Sequence, residues 1–286
     1  MVLDGALQIH SAQQARTKAL IIPREHGAWG LLFVPLFTGI AVGAASSAQG
    51  FGPLALFAIA AFALFWLRTP VESLLGTTPL SAQTPAERGI ALAVSSGLVL
   101  VATACLAGLM WGWRNSDLLL FGGVAALAFV AQTVLMRFGR RMRMGAQLVG
   151  AIGLTCTAPA AYYIATGSLD KQAAWLWVAN WMFAANQIHY VQLRIHTVRA
   201  ATFDEKCERG QGFFLSQVLL VMVLIALIYL RVVPMLVTLA FLPVFVRGFY
   251  WFFRPAQALQ VRSLGWSEVK QGILFGILLA ATSLLS

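Results

Sequence analysis

Apolar residues along this chain arrive in long unbroken blocks separated by short polar connections, not in the alternating or striped patterns of a water-soluble core. Nine such blocks run roughly Gly27–Ala45, Pro53–Leu75, Gly89–Met110, Leu118–Met136, Ala146–Ala165, Ala173–Leu193, Phe213–Leu230, Val232–Phe253 and Gly272–Leu285. Most are long enough to cross a hydrocarbon core of roughly 30 Å as helices. The pattern therefore predicts an all-α, polytopic membrane protein with about nine transmembrane helices. It divides into a tail over 1–22 and a single transmembrane helical domain over 23–286.

The polar positions orient this array. Seventeen of the 20 Lys and Arg residues fall in the tail and the even-numbered connections, leaving Arg114, Lys171 and Arg231 for the odd ones. Cytoplasmic loops carry the basic excess, so the N-terminus is expected in the cytoplasm and the C-terminus outside it. The longer connections, Ser73–Arg88 and His196–Gly212, then lie on the cytoplasmic side. Loops longer than closure requires are where function concentrates. Pro35, Pro159, Pro234 and Pro243 fall within blocks and imply kinks. Gly122–Gly123 and Gly150–Gly153 suit close helix contact.

Composition agrees: 59% of the 286 residues are apolar and only 10% charged. A net charge of +10 would suggest nucleic acid in a soluble protein. Here the charges serve as topology determinants facing anionic lipid, so no nucleic-acid partner is expected. Cys105, Cys156 and Cys207 form no motif. Trp175, Trp177, Trp251 and Trp266 sit near block ends, as a headgroup-level belt requires.

Three polar clusters interrupt the apolar blocks. At the first mouth stands Pro23-Arg24-Glu25-His26-Gly27, where a His followed by Gly is a poor generic anchor. At the inner end of the second block, Arg68 and Glu72 are four apart and share a helical face, able to pair, with Pro70 expected to kink or unwind that end. A carboxylate so close to the bilayer is costly and usually has a partner or a role. The third cluster lies on the sixth block: His189, Gln192, His196 and Arg199 fall within an arc of roughly 80°, and Asn186 continues the stripe. Such a stripe suits the wall of a hydrophilic cavity, which Gln132 and Gln147 could also line or bridge by interhelical hydrogen bonds. His26, His189, His196 and Glu72 offer metal donors, although nothing in their spacing demands a metal.

The segment PREHGAWGLLFVPLFTGI resembles the YwiC-like family of bacterial membrane proteins, and the likeness extends over nearly the whole chain. It implies residence in the bacterial cytoplasmic membrane and no particular chemistry. The nine-helix architecture, with polar clusters at the cytoplasmic ends of blocks two and six, resembles the UbiA superfamily of intramembrane prenyltransferases. That resemblance implies an isoprenoid or other anionic-lipid substrate and Mg²⁺ held by two Asp-rich motifs. Those motifs map here onto Arg68 and Glu72, and onto Gln192 and His196 with His189 one turn deeper. At most one carboxylate remains, whereas Mg²⁺ favours hard oxygen ligands. Arginines can bind a phosphate directly.

The reading that follows is a cytoplasm-facing polar cavity for an anionic head group. Arg24, His26, Arg68, Asn186, Gln192, Arg194 and Arg199 would bind it, and Glu72, His189 and His196 would move protons or hold a metal. Prenyl transfer is the implied enzyme class. A transporter using the stripe as its path, and a non-catalytic assembly factor, are the alternatives.

Overall fold

The computed structural model describes residues 13–23, 26–45, 50–77, 80–113, 116–198, 202–254 and 260–285. Among them every regular element is helical, and each of the nine apolar blocks forms helix over most of its length. Six helices are long and apolar enough to cross a membrane, and Trp29–Ala44 is a shorter apolar one. The helices covering the sixth and ninth blocks are also long, but each interrupts its apolar run with polar residues.

Contacts within the chain group it into two compact units. The first unit is Met1–Glu25 with Phe51–Ser116, and the second is His26–Gly50 with Asp117–Ser286. Each is described by itself.

In the first unit α2 (Phe51–Leu75) packs along α3 (Pro85–Gly112). Pro70 neither kinks nor unwinds the end of α2 enough to stop it, and helix continues to Leu75. Gly76 follows at φ +66°, a left-handed conformation that glycine adopts without a Cβ clash. The connection to α3 is tied down. Ala82 N–H donates to the Ser73 carbonyl at 3.0 Å. Thr84 and Glu87 form a reciprocal capping box at the start of α3. Arg16, from the helical residues 13–21, reaches Glu87 Oε1 at 2.6 Å.

The second unit holds α1 (His26–Ala44), α4 (Leu118–Arg137), α5 (Arg143–Thr155), α6 (Thr157–Thr166) and α7 (Lys171–His196). It continues with α8 (Phe203–Arg209), α9 (Gln211–Tyr229), the 3₁₀ segment Met235–Phe241, α10 (Leu242–Phe253) and α11 (Val261–Leu284). Its core joins α1, α7 and α11, where Phe183 and Phe275 stack with centroids 4.1 Å apart. Inside that core Asn180 Nδ2 donates to Thr38 Oγ1 at 3.0 Å and to the Leu176 carbonyl at 2.8 Å, while its Oδ1 is buried without a partner among the described residues. α1 approaches α6 so closely that a Cβ on Gly39 would overlap the Ala158 backbone.

The prolines act differently from one another. α1 runs through Pro35 without a break. Pro159 lies two residues into α6, just after the interruption that separates it from α5. Pro234 precedes the 3₁₀ segment and Pro243 occupies the first turn of α10. An early helical position needs no N–H, so proline starts helices there. Gly150 and Gly153 lie against Gln132 and Ala128 of α4, as close contact predicts. Gly122 and Gly123 do not; open space surrounds the position of each missing side chain.

Candidate anion site

The second unit contains a cavity of about 550 Å³ with a strongly basic and aromatic wall. α7 contributes Tyr190 and Arg194, α10 and its C-terminal end Arg247, Tyr250, Trp251 and Arg254, and α11 with its preceding residue Gln260, Ser263, Leu264 and Ser267. Positions 190 and 194 are one turn apart on α7, and 247, 250, 251 and 254 follow the same three-four spacing on α10. An apolar cluster of Tyr190, Leu193, Phe213, Phe252 and Leu264 packs next to the wall. Gly248 lets this happen, because a Cβ there would come within 2.8 Å of the Phe213 ring.

Arg247 organises the site. Its Nη1 donates to Glu268 Oε1 at 2.6 Å, and its guanidinium lies 4.1 Å from the Tyr190 ring centre. The side chain is only 10% exposed and that of Glu268 6%. Among the described residues, Arg247 Nε and Nη2 and Glu268 Oε2 are buried without a hydrogen-bond partner. Donors buried without partners are costly, so two on one guanidinium that lines a cavity are the mark of a site awaiting an acceptor.

Further positive charge surrounds it. Arg194 lies 5.8 Å from the Trp251 ring centre, and its Nη1 is 3.4 Å from Tyr190 Oη. Arg254 lies over Tyr250 at 5.1 Å. Lys206, buried on the short helix α8, sits 4.8 Å from the Trp251 ring centre and donates to the Arg254 carbonyl. Desolvation, then the charge of Arg194, holds the Lys206 ammonium below the usual lysine range. Rings under cations give partial compensation at each position without neutralising any of them.

Of the described residues singled out by the sequence, Arg194 is the one that lines this cavity. Asn186 is buried and donates to Gln217 Oε1 of α9 at 2.9 Å. His189 is half-buried. Gln192 reaches Gln147 Oε1 at 3.4 Å, and His196 is exposed with Nδ1 2.8 Å from the Gln192 carbonyl of its own helix. Asn186 thus ties α7 to α9 one turn before Tyr190 on the cavity's side of the helix, whereas Gln192 and His196 lie on the roughly opposite face, where Gln192 reaches α5. Gln132 and Gln147 serve helix contacts, not the wall of this cavity. Arg68 Nε donates to Glu72 Oε1 at 2.8 Å within α2 of the first unit, so the expected pairing exists. Arg24, Arg199 and the His26 side chain lie outside the described residues.

No group of three His, Cys, Asp or Glu side chains among the described residues is placed to hold a metal ion. With Glu72 also engaged by Arg68, the residues present do not fit a Mg²⁺ cluster.

Residues 22–162 match the protein-family model described as YwiC-like protein. That supports the family expected from the PREHGAWG segment over just under half of the chain. The match ends inside α6, so the whole cavity wall lies beyond it. No match was found among curated proteins or among solved structures.

Proposed function

We propose that this multi-pass membrane protein binds an anionic, lipid-like ligand by its head group in the cavity of the second unit. The observation that carries the reading is Arg247, nine-tenths buried, which lines the cavity and has two buried N–H donors without a partner among the described residues. Arg194 and Arg254 add charge, and the aromatic wall offers apolar surface to whatever the head group is attached to. Guanidinium groups match phosphate-type oxygens in charge and in fork geometry, without a metal. This favours a head-group-binding role over Mg²⁺-dependent prenyl transfer of the UbiA kind, which needs paired carboxylates.

We place the cavity on the cytoplasmic side, in a chain that crosses the membrane nine times with its N-terminus inside. The support is the seventeen-to-three charge split and the helix formed by all nine apolar blocks. A reporter after Ser286 should behave as external and one within 196–212 as cytoplasmic; the reverse pattern removes both the topology and the cavity's orientation.

Binding is tested with octyl sulfate or a short-chain phosphatidic acid on full-length protein in an uncharged detergent. Arg254→Gln and Arg194→Gln should each weaken binding by roughly 1.5–3 kcal/mol, the range for a hydrogen bond to a charged group. Affinity unchanged in both variants would end the proposal.

A further inference from the structure

The anion cavity already has an anion bound to its central arginine. Glu268, next to the lining residue Ser267, uses one oxygen on Arg247 Nη1 and leaves the other buried without a partner among the described residues. Nε and Nη2 of Arg247 are likewise buried without a partner among the described residues, closed to solvent as the site stands, and a ligand would have to uncover them to use them. A ligand there would place a second negative charge on a guanidinium that a carboxylate already holds, in a setting where water screens little.

Resting on the head-group reading above, we infer that the cavity takes up a tetrahedral oxyanion together with one proton, and that Glu268 carries the proton. Solvent supplies it: the Glu268 carboxylate becomes the neutral acid as the ligand binds. The two negative charges then no longer compete for one arginine, and the new O–H gives the buried carboxyl a donor. The oxyanion class follows from the donors. Those of Arg194, Arg247, Ser263 and Ser267 come from three helices, more directions than the two oxygens of a planar carboxylate can use.

The groups around Glu268 come from several helices. α10 presents Arg247, and α7 presents Arg194 and the neutral Gln187, whose Nε2 donates to the Glu268 carbonyl at 2.9 Å. α11 itself carries Arg262 and Lys270 near that level. α1 and the 3₁₀ segment also pack on α11; Trp29–Ala44 and Met235–Phe241 contain no titratable side chain, and the His26 side chain lies outside the described residues. Arginine and lysine stay protonated between pH 5 and 8, so among the groups bonded to Glu268 the carboxylate is the one able to gain a proton there; His189 of α7 is the other residue type that titrates in this range, and the Glu268→Gln variant separates the two.

Octyl sulfate is the probe, because a sulfate ester does not titrate in that range and any proton taken up belongs to the protein. Calorimetric titration of the full-length protein, in buffers of different ionisation enthalpy, counts the protons directly. The wild type should take up close to one proton per ligand, with affinity tightening as pH falls, by at most about tenfold per pH unit. Glu268→Gln should bind with no proton uptake and no pH dependence. Inorganic sulfate forms the second arm. If it binds as tightly as octyl sulfate with the same proton count, the ligand is a free oxyanion and the proton inference stands. Binding by the wild type with no proton uptake anywhere in the range overturns the inference and leaves the head-group reading intact. Proton uptake that persists in Glu268→Gln also overturns it. Failure of octyl sulfate to bind the wild type removes both, whereas failure of inorganic sulfate alone means that the attached chain is needed and supports both.

Discussion

Two arginine–glutamate pairs, one in each unit, have nearly the same contact distance and opposite characters. Arg68 and Glu72 are four residues apart on α2, 2.8 Å apart at closest, with the arginine 23% exposed. Arg247 and Glu268 come from different helices, approach to 2.6 Å and are both at least nine-tenths buried. The first pair leaves no buried atom unpartnered among the described residues; the second leaves three. A local pair near solvent is a self-contained anchor. A buried pair held together by tertiary packing, with donors left over beside a cavity, is organised around something else. Distance alone therefore says little about what an ion pair is for; the state of its remaining hydrogen-bonding atoms says more.

The largest expected effect breaks the second pair. Arg247→Ala strands a buried carboxylate amid atoms already unpartnered and should lower unfolding free energy by roughly 3–5 kcal/mol, whereas Arg68→Ala leaves Glu72, itself buried but at a helix end beside a partly exposed arginine, and should cost roughly 1–2 kcal/mol. Thermal unfolding in a fixed detergent reads both. Replacing Arg247 and Glu268 together by Met should restore most of the loss, because the stranded charge is then gone. Equal losses from Arg247→Ala and Arg68→Ala would erase the distinction drawn between the pairs.

A pair of glycines gives a subtler separation. Gly248 follows Arg247 and faces the Phe213 ring, so Gly248→Ala should cost roughly 1–3 kcal/mol by overpacking and should also disturb anion binding. Gly76 follows the helix of Arg68 and Glu72 in open space, but at φ +66°. Gly76→Ala should cost roughly 1–2 kcal/mol through backbone strain alone, and leave anion binding untouched. Binding lost equally in both variants would mean that the effect is global.

Helix content was legible because nine apolar blocks leave the backbone few alternatives. The Arg68–Glu72 pair was legible for the same kind of reason, since i, i+4 spacing is visible in one dimension. The cavity was not. Lys206, Arg247 and Arg254 counted as markers of the cytoplasmic side and Trp251 as part of an aromatic belt; of the wall, Arg194 alone was also legible as a head-group binder. Topology explains why such residues sit near helix ends and says nothing about whether several ends converge. The stripe of Asn186, His189, Gln192 and His196 was real as a pattern, yet Asn186, Gln192 and His196 bond to α9, α5 and α7 itself. Recurrence of Arg247, Tyr250, Trp251 and Arg254 at helical spacing was the available signal. Reading it required treating a charge and an aromatic ring as one surface.

The smallest predicted effect is a titration. Lys206 loses solvent and lies near Arg194, so the folded protein holds its proton less tightly than the unfolded chain does. Between the depressed folded value and the ordinary lysine value of about 10.4, the unfolded state carries more protons, and stability therefore rises with pH across that window. Below it, the cost of keeping the ammonium charged is present in full. Lys206→Met keeps most of the buried stem and removes the charge, so its stability relative to wild type should be highest at neutral pH and should fall as the wild type is relieved at alkaline pH. Arg68→Gln supplies the comparison from the other unit: with no lysine involved, its difference from wild type should stay level over the same window. Unfolding temperatures of the three proteins from pH 7 to 10.5 decide it. A Lys206→Met difference that stays level, like that of Arg68→Gln, would mean that the cluster around Trp251 exerts no charge pressure on Lys206.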